Sequence, residues 1–186
     1  INVTPGEVRA ALIEDGVLQE VTIERATRGG LINNIYQGKV SRVLPGMQAA
    51  FIEIGLDRTA FLHVNDIFRV TDKGNGDIKE RAPDIRELVR EGQDILVQVV
   101  KDPIGTKGAR LTTFITLPSR FLVLLPMVSG VRISARIEDE EERKRLSNEL
   151  HSIAENTSIS CGIIVRTAAE GVNPDALSAD LHFLCK

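Results

Sequence analysis

Residues 8–12 and 18–23 are two short β-rich runs joined by Glu14-Asp15-Gly16. An Asp-Gly pair accepts the positive φ angles of a tight type I′ turn, so the pattern predicts a β-hairpin. A lone hairpin is too small to be stable, and something outside it must cover its apolar face. Polar residues 25–30 read as a linker. Five strand signals follow at residues 35–44, 49–54, 59–63, 95–100 and 111–115, separated by Pro45-Gly46, Gly55 and the turn at 102–108. Short strands joined by turns, with one longer excursion over residues 66–90, predict a small closed five-stranded barrel. Within the excursion, Lys73-Gly74-Asn75-Gly76-Asp77 reads as a mobile loop and residues 84–90 as a helical turn.

The last third alternates. Residues 121–125 form an apolar run closed by Pro126, residues 131–134 a second strand and residues 163–166 a third. Leu146, Leu150 and Ile153 share one helical face across residues 143–153, and the acidic run from Glu138 to Glu142 suits that helix's first turn. Asn173-Pro174 is an N-cap followed by proline at the first helical position, and Ala176, Leu177, Leu181 and Leu184 continue as a stripe. Strands alternating with helices predict an α/β unit beside the barrel. No internal repeat or heptad is present.

The 186 residues are 42% hydrophobic and 26% charged, with a formal net charge of -3, values of an ordinary globular protein. The total hides a local excess. Between positions 101 and 136 stand Lys101, Lys107, Arg110, Arg120, Arg132 and Arg136 against Asp102 alone. Such a basic stretch, rather than the net charge, is the footprint of a nucleic-acid partner. Cys161 and Cys185 are far apart in sequence and lack zinc spacing, which argues against a disulfide framework and fits a reducing cytoplasm. No apolar run reaches membrane-span length and no signal-peptide pattern appears. The chain begins at Ile1, already inside a strand-like pattern, so residues are expected upstream.

Three constellations carry chemistry. On the strand signals, Phe51 and Phe61 can meet on one barrel surface, because residues two apart share a face. They fit either an exposed platform for stacking unpaired bases or the barrel core, where phenylalanine usually lies. Lys39, Arg42, Lys107 and Arg110 are placed to track phosphates. His63 is a weak RNA contact at best. The second is the glycine-rich turn Asp102-Pro103-Ile104-Gly105-Thr106-Lys107-Gly108-Ala109-Arg110, either a phosphate cradle or a plain strand connection. It lacks the spacing of a Walker loop. The third is Val165-Arg166-Thr167-Ala168-Ala169, where an arginine fork and a hydroxyl close a strand end. No catalytic centre and no metal-binding carboxylate cluster stands out.

The segments Asn34-Ile35-Tyr36-Gln37-Gly38-Lys39-Val40-Ser41-Arg42-Val43-Leu44-Pro45-Gly46-Met47-Gln48-Ala49-Ala50-Phe51 and Lys107-Gly108-Ala109-Arg110-Leu111-Thr112-Thr113 closely resemble the ribonuclease E/ribonuclease G family. Ile1-Asn2-Val3-Thr4-Pro5, Thr116-Leu117-Pro118-Ser119-Arg120 and Ile164-Val165-Arg166-Thr167-Ala168-Ala169-Glu170-Gly171 extend the match, with the ribonuclease G branch nearest. The resemblance is weakest over residues 70–83 and after Asn173.

The resemblance implies a mixed fold. Residues 1–32 would be a partial ribonuclease-H-like hairpin, residues 33–116 an OB-fold RNA-binding barrel, and residues 117–186 an α/β 5′-sensor subdomain. It implies a bacterial, cytoplasmic endoribonuclease that cuts single-stranded RNA with a 5′-monophosphate end, in ribosomal RNA maturation and messenger RNA decay. By the same resemblance Phe51, Phe61 and Lys107 contact RNA, with Lys39 and Arg110 beside them. Arg166 and Thr167 hold the terminal phosphate, and Val123 lines that pocket through its backbone. Ser119 stands where the ribonuclease E branch has glycine, and its side chain can tighten the pocket or add a hydrogen bond. No catalytic residue, metal or cofactor is expected within these residues. Catalytic Mg²⁺ on aspartates, and Zn²⁺ shared by cysteines between protomers of a homo-oligomer, are expected downstream in the full-length protein, so this portion alone is expected to be inactive. The competing reading is a non-catalytic OB-fold RNA-binding accessory protein. A further one is a structural domain whose phenylalanines are all core.

Overall fold

The computed structural model describes residues 1–26, 29–69, 84–157 and 160–186. The loop expected at 73–77 and the centre of the expected linker, residues 27–28, lie outside the described residues. Two compact units are present, Ile1–Ile32 and Asn33–Lys186.

The first unit is an antiparallel sheet of β1 (Asn2–Val3), β2 (Glu7–Glu14) and β3 (Val17–Arg25), ordered β1-β2-β3. Its hairpin turns at Asp15 and Gly16 with φ of 51° and 76°, the two positive angles of a type I′ turn. Val8 and Leu12 on one face of the hairpin, and Val21 and Ile23 on the other, are exposed. The two-residue β1 falls where the sequence already reads as strand-like from Ile1.

The second unit begins with a closed barrel. Its strands are β4 (Ile35–Leu44), β5 (Ala49–Glu53), β6 (Ala60–His63), β7 (Asp94–Lys101) and β8 (Arg110–Thr112), ordered β4-β5-β6-β8-β7. β6 and β8 run parallel and the remaining pairs antiparallel. Small barrels are filled by side chains. Here Val40, Ala50, Ile52, Leu62, Val97 and Leu111 fill the interior, all buried. Between β6 and β7, α1 (Ile85–Leu88) is capped by the Asp84 carboxylate, which accepts the Arg86 N–H at 2.9 Å, and buries Ile85 fully. β8 ends earlier than the apolar pattern suggests. The Thr113 N–H turns to the Asp66 carbonyl at 2.9 Å, and the Phe114 N–H to the Thr112 hydroxyl at 3.0 Å. A side-chain hydroxyl thus competes with the ladder.

A buried amide joins the barrel to the α/β layer. Gln98 on β7 accepts the Thr116 N–H at 2.9 Å and donates to the carbonyls of Thr116 at 2.8 Å and Asn33 at 3.1 Å.

The rest of the unit is a sheet of β9 (Leu117–Pro118), β10 (Leu122–Leu125), β11 (Gly130–Ile133) and β12 (Gly162–Val165), ordered β11-β12-β10-β9, with β11 and β12 parallel. Against it pack α2 (Glu140–Thr157) and α3 (Pro174–Leu184). Leu122, Leu124, Ile163 and Val165 from the sheet meet Leu146 and Leu150 of α2 and Leu177 and Leu181 of α3 in one core. α2 starts three residues earlier than its apolar face predicts, because Asp139 Oδ1 caps the Glu141 N–H at 2.9 Å. The expected acidic first turn is Glu140, Glu141 and Glu142. At α3 the Asn173 side chain accepts the Ala176 N–H at 2.9 Å, and Pro174 occupies the first turn.

An ionic clamp holds α2 to the turn before α3. Arg145 binds both Glu142 oxygens at 2.5 and 2.7 Å, both Glu149 oxygens at 2.9 Å and the Val172 carbonyl at 3.1 Å. The Gly171 N–H donates to Glu142 at 2.9 Å. Arg145, aided by that N–H, holds the Glu142 carboxyl at about 2, below its ordinary 4.5. A depressed carboxyl contributes stability that is present above 4.5 and lost as pH falls toward 2. Arg145→Met is therefore expected to flatten the acid side of the stability profile, measured as the urea midpoint between about pH 4.5 and 2. An unchanged slope would show that the clamp does not couple to folding.

Candidate functional site

The barrel register builds a row across all five strands. Arg42 of β4 pairs with Phe51 of β5, Phe51 with Phe61 of β6, and Phe61 with Arg110 of β8, which pairs in turn with Lys101 of β7. Residues paired in this way project from the same face. The interior belongs to Ala50, Ile52, Ala60 and Leu62, so by alternation Phe51 and Phe61 point outward, and both are half-buried. Their ring centroids lie 6.3 Å apart at 66°, an edge-to-face pair. His63 extends the row, 6.4 Å from Phe61 and tilted 32°. Its Nδ1 accepts the Asn65 N–H at 3.2 Å, which fixes the ring. The phenylalanines are therefore not core residues.

In front of them opens a groove of about 940 Å³, with Phe51, Phe61, Arg58, Lys101, Lys107 and Arg110 among its walls. Arg58 donates to the Gly105 carbonyl, which ties the 102–108 connection to the loop between β5 and β6. That connection is a tight turn in which Ile104 and Lys107 exchange N–H bonds at 2.9 and 3.2 Å. Those two amides are used internally, and the Lys107 side chain faces the groove instead. Arg110 is held by Asp66, whose Oδ2 accepts from Nε at 3.0 Å and Nη2 at 2.9 Å. Lys39 sits apart. Its register partners are two acids, Glu53 and Asp94. Arg42 stands opposite the aromatic pair. Arg58 and Asp66 do not stand out as site residues in the sequence, and Lys101 is marked there only as part of the basic stretch; register and loop contacts between segments distant along the chain bring them beside the aromatic row.

The second constellation lies where β12 ends. Val123 pairs with Ile164 and Leu122 with Val165, which brings the 119–121 turn beside Arg166. The Arg166 N–H donates to the Phe121 carbonyl at 2.9 Å, and its Nη1 donates to the Ser119 carbonyl. Arg166 and Thr167 are both exposed. Among the described residues no carboxylate forms an ion pair with Arg166. Four of the guanidinium's five N–H groups thus remain to meet an anion. The Ser119 hydroxyl is engaged elsewhere, donating to the Asp180 carboxylate. Asp180 is a residue that the sequence reading misses. The signal for it is an acid wedged into the apolar stripe of α3, between fully buried Leu177 and Leu181.

Among the described residues no three His, Cys, Asp or Glu side chains gather as metal ligands, and no helix is long and apolar enough to cross a membrane. Cys161 and Cys185 are both free.

The model of the Ribonuclease E/G family matches residues 116–186. Over 186 aligned residues the chain is 56% identical to Ribonuclease G of Salmonella typhimurium and of Escherichia coli strain K12, covering 99% of this chain. It is 39% identical to Ribonuclease E of Escherichia coli over 97% of its length. The chain belongs to the ribonuclease E/G family. It spans 37% of the length of those Ribonuclease G relatives and 17% of that Ribonuclease E. The match to both branches covers the aromatic row and the Arg166 turn alike, so family membership accounts for the barrel and the α/β layer together.

Proposed function

We propose that this chain is the RNA-binding and 5′-monophosphate-sensing N-terminal region of a bacterial, cytoplasmic, single-strand-specific endoribonuclease that matures ribosomal RNA and degrades messenger RNA. Residues 33–116 would bind the strand and residues 117–186 would read its end. The observation that carries the reading is Arg166: an exposed guanidinium, oriented by a main-chain carbonyl and in no ion pair with a carboxylate among the described residues. Charge-assisted hydrogen bonds from such a fork match a terminal phosphate. The Thr167 hydroxyl adds a donor, and the Val123 backbone lines the same site. Ser119 contributes its carbonyl rather than its hydroxyl. On the barrel, bases stack on Phe51 and Phe61 while Arg42, Lys107 and Arg110 accompany the backbone, and Lys39 lies at the margin. A non-catalytic RNA-binding protein would need the barrel but not the Arg166 turn, which favours the nuclease reading.

In the full-length enzyme, Mg²⁺ would serve the chemical step and Zn²⁺ would link protomers of a homo-oligomer. The described residues bring no three His, Cys, Asp or Glu side chains together as metal ligands. Their contribution is positioning: the end is held, and the downstream strand is presented in fixed register.

Arg166→Gln in the full-length enzyme removes the charge and the guanidinium fork while keeping a polar side chain. The preference for monophosphate over hydroxyl ends is expected to fall by about tenfold, the scale of a lost bond to a charged group. Cleavage rates on two RNAs differing only at the 5′ end measure it, and an unchanged ratio rejects the assignment.

A further inference from the structure

We propose that Asp180 is a positioning residue for the end-sensing site, setting the Arg166 guanidinium through the 119–122 turn. The inference rests on the end-sensing reading of Arg166. One oxygen, Asp180 Oδ2, accepts three donors: the Ser119 hydroxyl, the Phe121 N–H at 2.9 Å and the Leu122 N–H at 3.0 Å. The turn also closes on itself, with the Ser119 N–H on the Leu122 carbonyl at 2.8 Å. The two carbonyls that receive Arg166 belong to this same turn: Phe121 takes its N–H, and Ser119 takes Nη1. Main chain and side chain of Arg166 are thus both fastened to residues that Asp180 fastens.

The other end of the linkage is rigid. Leu177 and Leu181 flank Asp180 on α3 and are fully buried in the core shared with β10 and β12. A path of direct contacts runs from that core through the carboxylate to the turn and on to the guanidinium. Bonds to a carboxylate are shorter and stronger than neutral ones, which suits a part that must hold position when an anion arrives. A carboxylate near a phosphate site would otherwise repel its ligand. Three donors gathered on one oxygen spread that charge and turn it to a structural use. An arginine side chain has several rotatable bonds, and fixing its fork beforehand reduces the ordering cost of binding. The same geometry explains how serine is accommodated at position 119: its hydroxyl completes the Asp180 cluster.

The test measures anisotropy of 3′-labelled ten-nucleotide RNAs ending in a 5′-monophosphate or a 5′-hydroxyl. The proteins are the unsubstituted chain, Asp180→Ala, Asp180→Asn and Ser119→Ala, each with a parallel thermal melt. Asp180→Ala is expected to reduce the monophosphate-to-hydroxyl affinity ratio by about fivefold or more, while affinity for the hydroxyl RNA stays within about twofold, since the barrel is untouched. Asp180→Asn keeps an acceptor oxygen for the two amides and is expected to fall between. Ser119→Ala keeps both amides and the carbonyl but removes one of the three donors, and is expected to lower the ratio less than Asp180→Ala does. A ratio unchanged in both Asp180 variants overturns the proposal, as does an equal loss for both RNAs, which would mark a merely structural acid. If Asp180→Ala does not fold, the Asp180→Asn ratio decides in the same way. An unsubstituted chain with no end preference sinks the end-sensing reading itself and the proposal with it, a result distinct from a preference that survives at position 180.

Discussion

Replacing Phe61 with leucine is expected to weaken binding of single-stranded RNA by roughly five- to hundredfold, because each base stacked on an aromatic ring contributes about 1–3 kcal/mol. Leucine is the useful substitute. It keeps an apolar cover over the barrel wall but offers no flat face to a base. Phe61 is central in the row, between Phe51 at 6.3 Å and His63 at 6.4 Å, and directly beside Arg110 in register. Phe51→Leu should show a similar but separate loss, and the double variant should lose less than the sum, since neighbouring rings share a platform. Stability should change by under about 2 kcal/mol, because the ring is only half-buried. Direct RNA titration of the three variants, with melts alongside, measures both quantities. RNA affinity that survives both substitutions would return the phenylalanines to a structural role.

Gly108→Ala is expected to destabilise the second unit by about 3 kcal/mol, at the upper end for overpacking. A Cβ at position 108 would stand 2.0 Å from the Thr59 carbonyl oxygen and 3.0 Å from its carbon. Both are main-chain atoms, so no side-chain rotation relieves the clash. The neighbouring Phe61 N–H bond to the Ala109 carbonyl, at 2.8 Å, must lengthen. That bond belongs to the parallel β6–β8 seam that closes the barrel. The glycine is thus required by close approach of two backbones, and its loss should lower the denaturation midpoint and RNA affinity together. A midpoint matching that of the unsubstituted chain would contradict this account.

The strands of the barrel were legible because turn residues punctuate them and their apolar runs are short. The hairpin turn followed from Asp15-Gly16 alone. Legibility failed where structure depends on register or on side chains reaching the backbone. Thr112 and Asp66 cut β8 short through hydrogen bonds that no periodicity records. Leu117–Pro118 forms a strand only because β10 lies beside it. Sequence left Phe51 and Phe61 between core and surface; the structure decides for the surface, because alanines at 50 and 60 take the inward positions. The phosphate-tracking cations were read by type, yet Lys39 falls opposite two acids while Arg42 faces the aromatic pair, after a bulge that shifts β4 between Val40 and Arg42. Arg166 and Thr167 were named from their motif, whereas Asp180, which organises the turn beside them, stands 14 positions away on a helix. Its role is visible only once α3 packs against β10.

The most direct measurement of the central claim is equilibrium binding of the chain to one short unstructured RNA prepared with three 5′ ends: monophosphate, triphosphate and hydroxyl. The monophosphate form should bind most tightly, by about tenfold over hydroxyl, and Arg166→Gln should bring the three together. Equal affinities for all three ends in the unsubstituted chain would contradict end recognition at Arg166 and leave only an aromatic, cationic barrel surface for the strand.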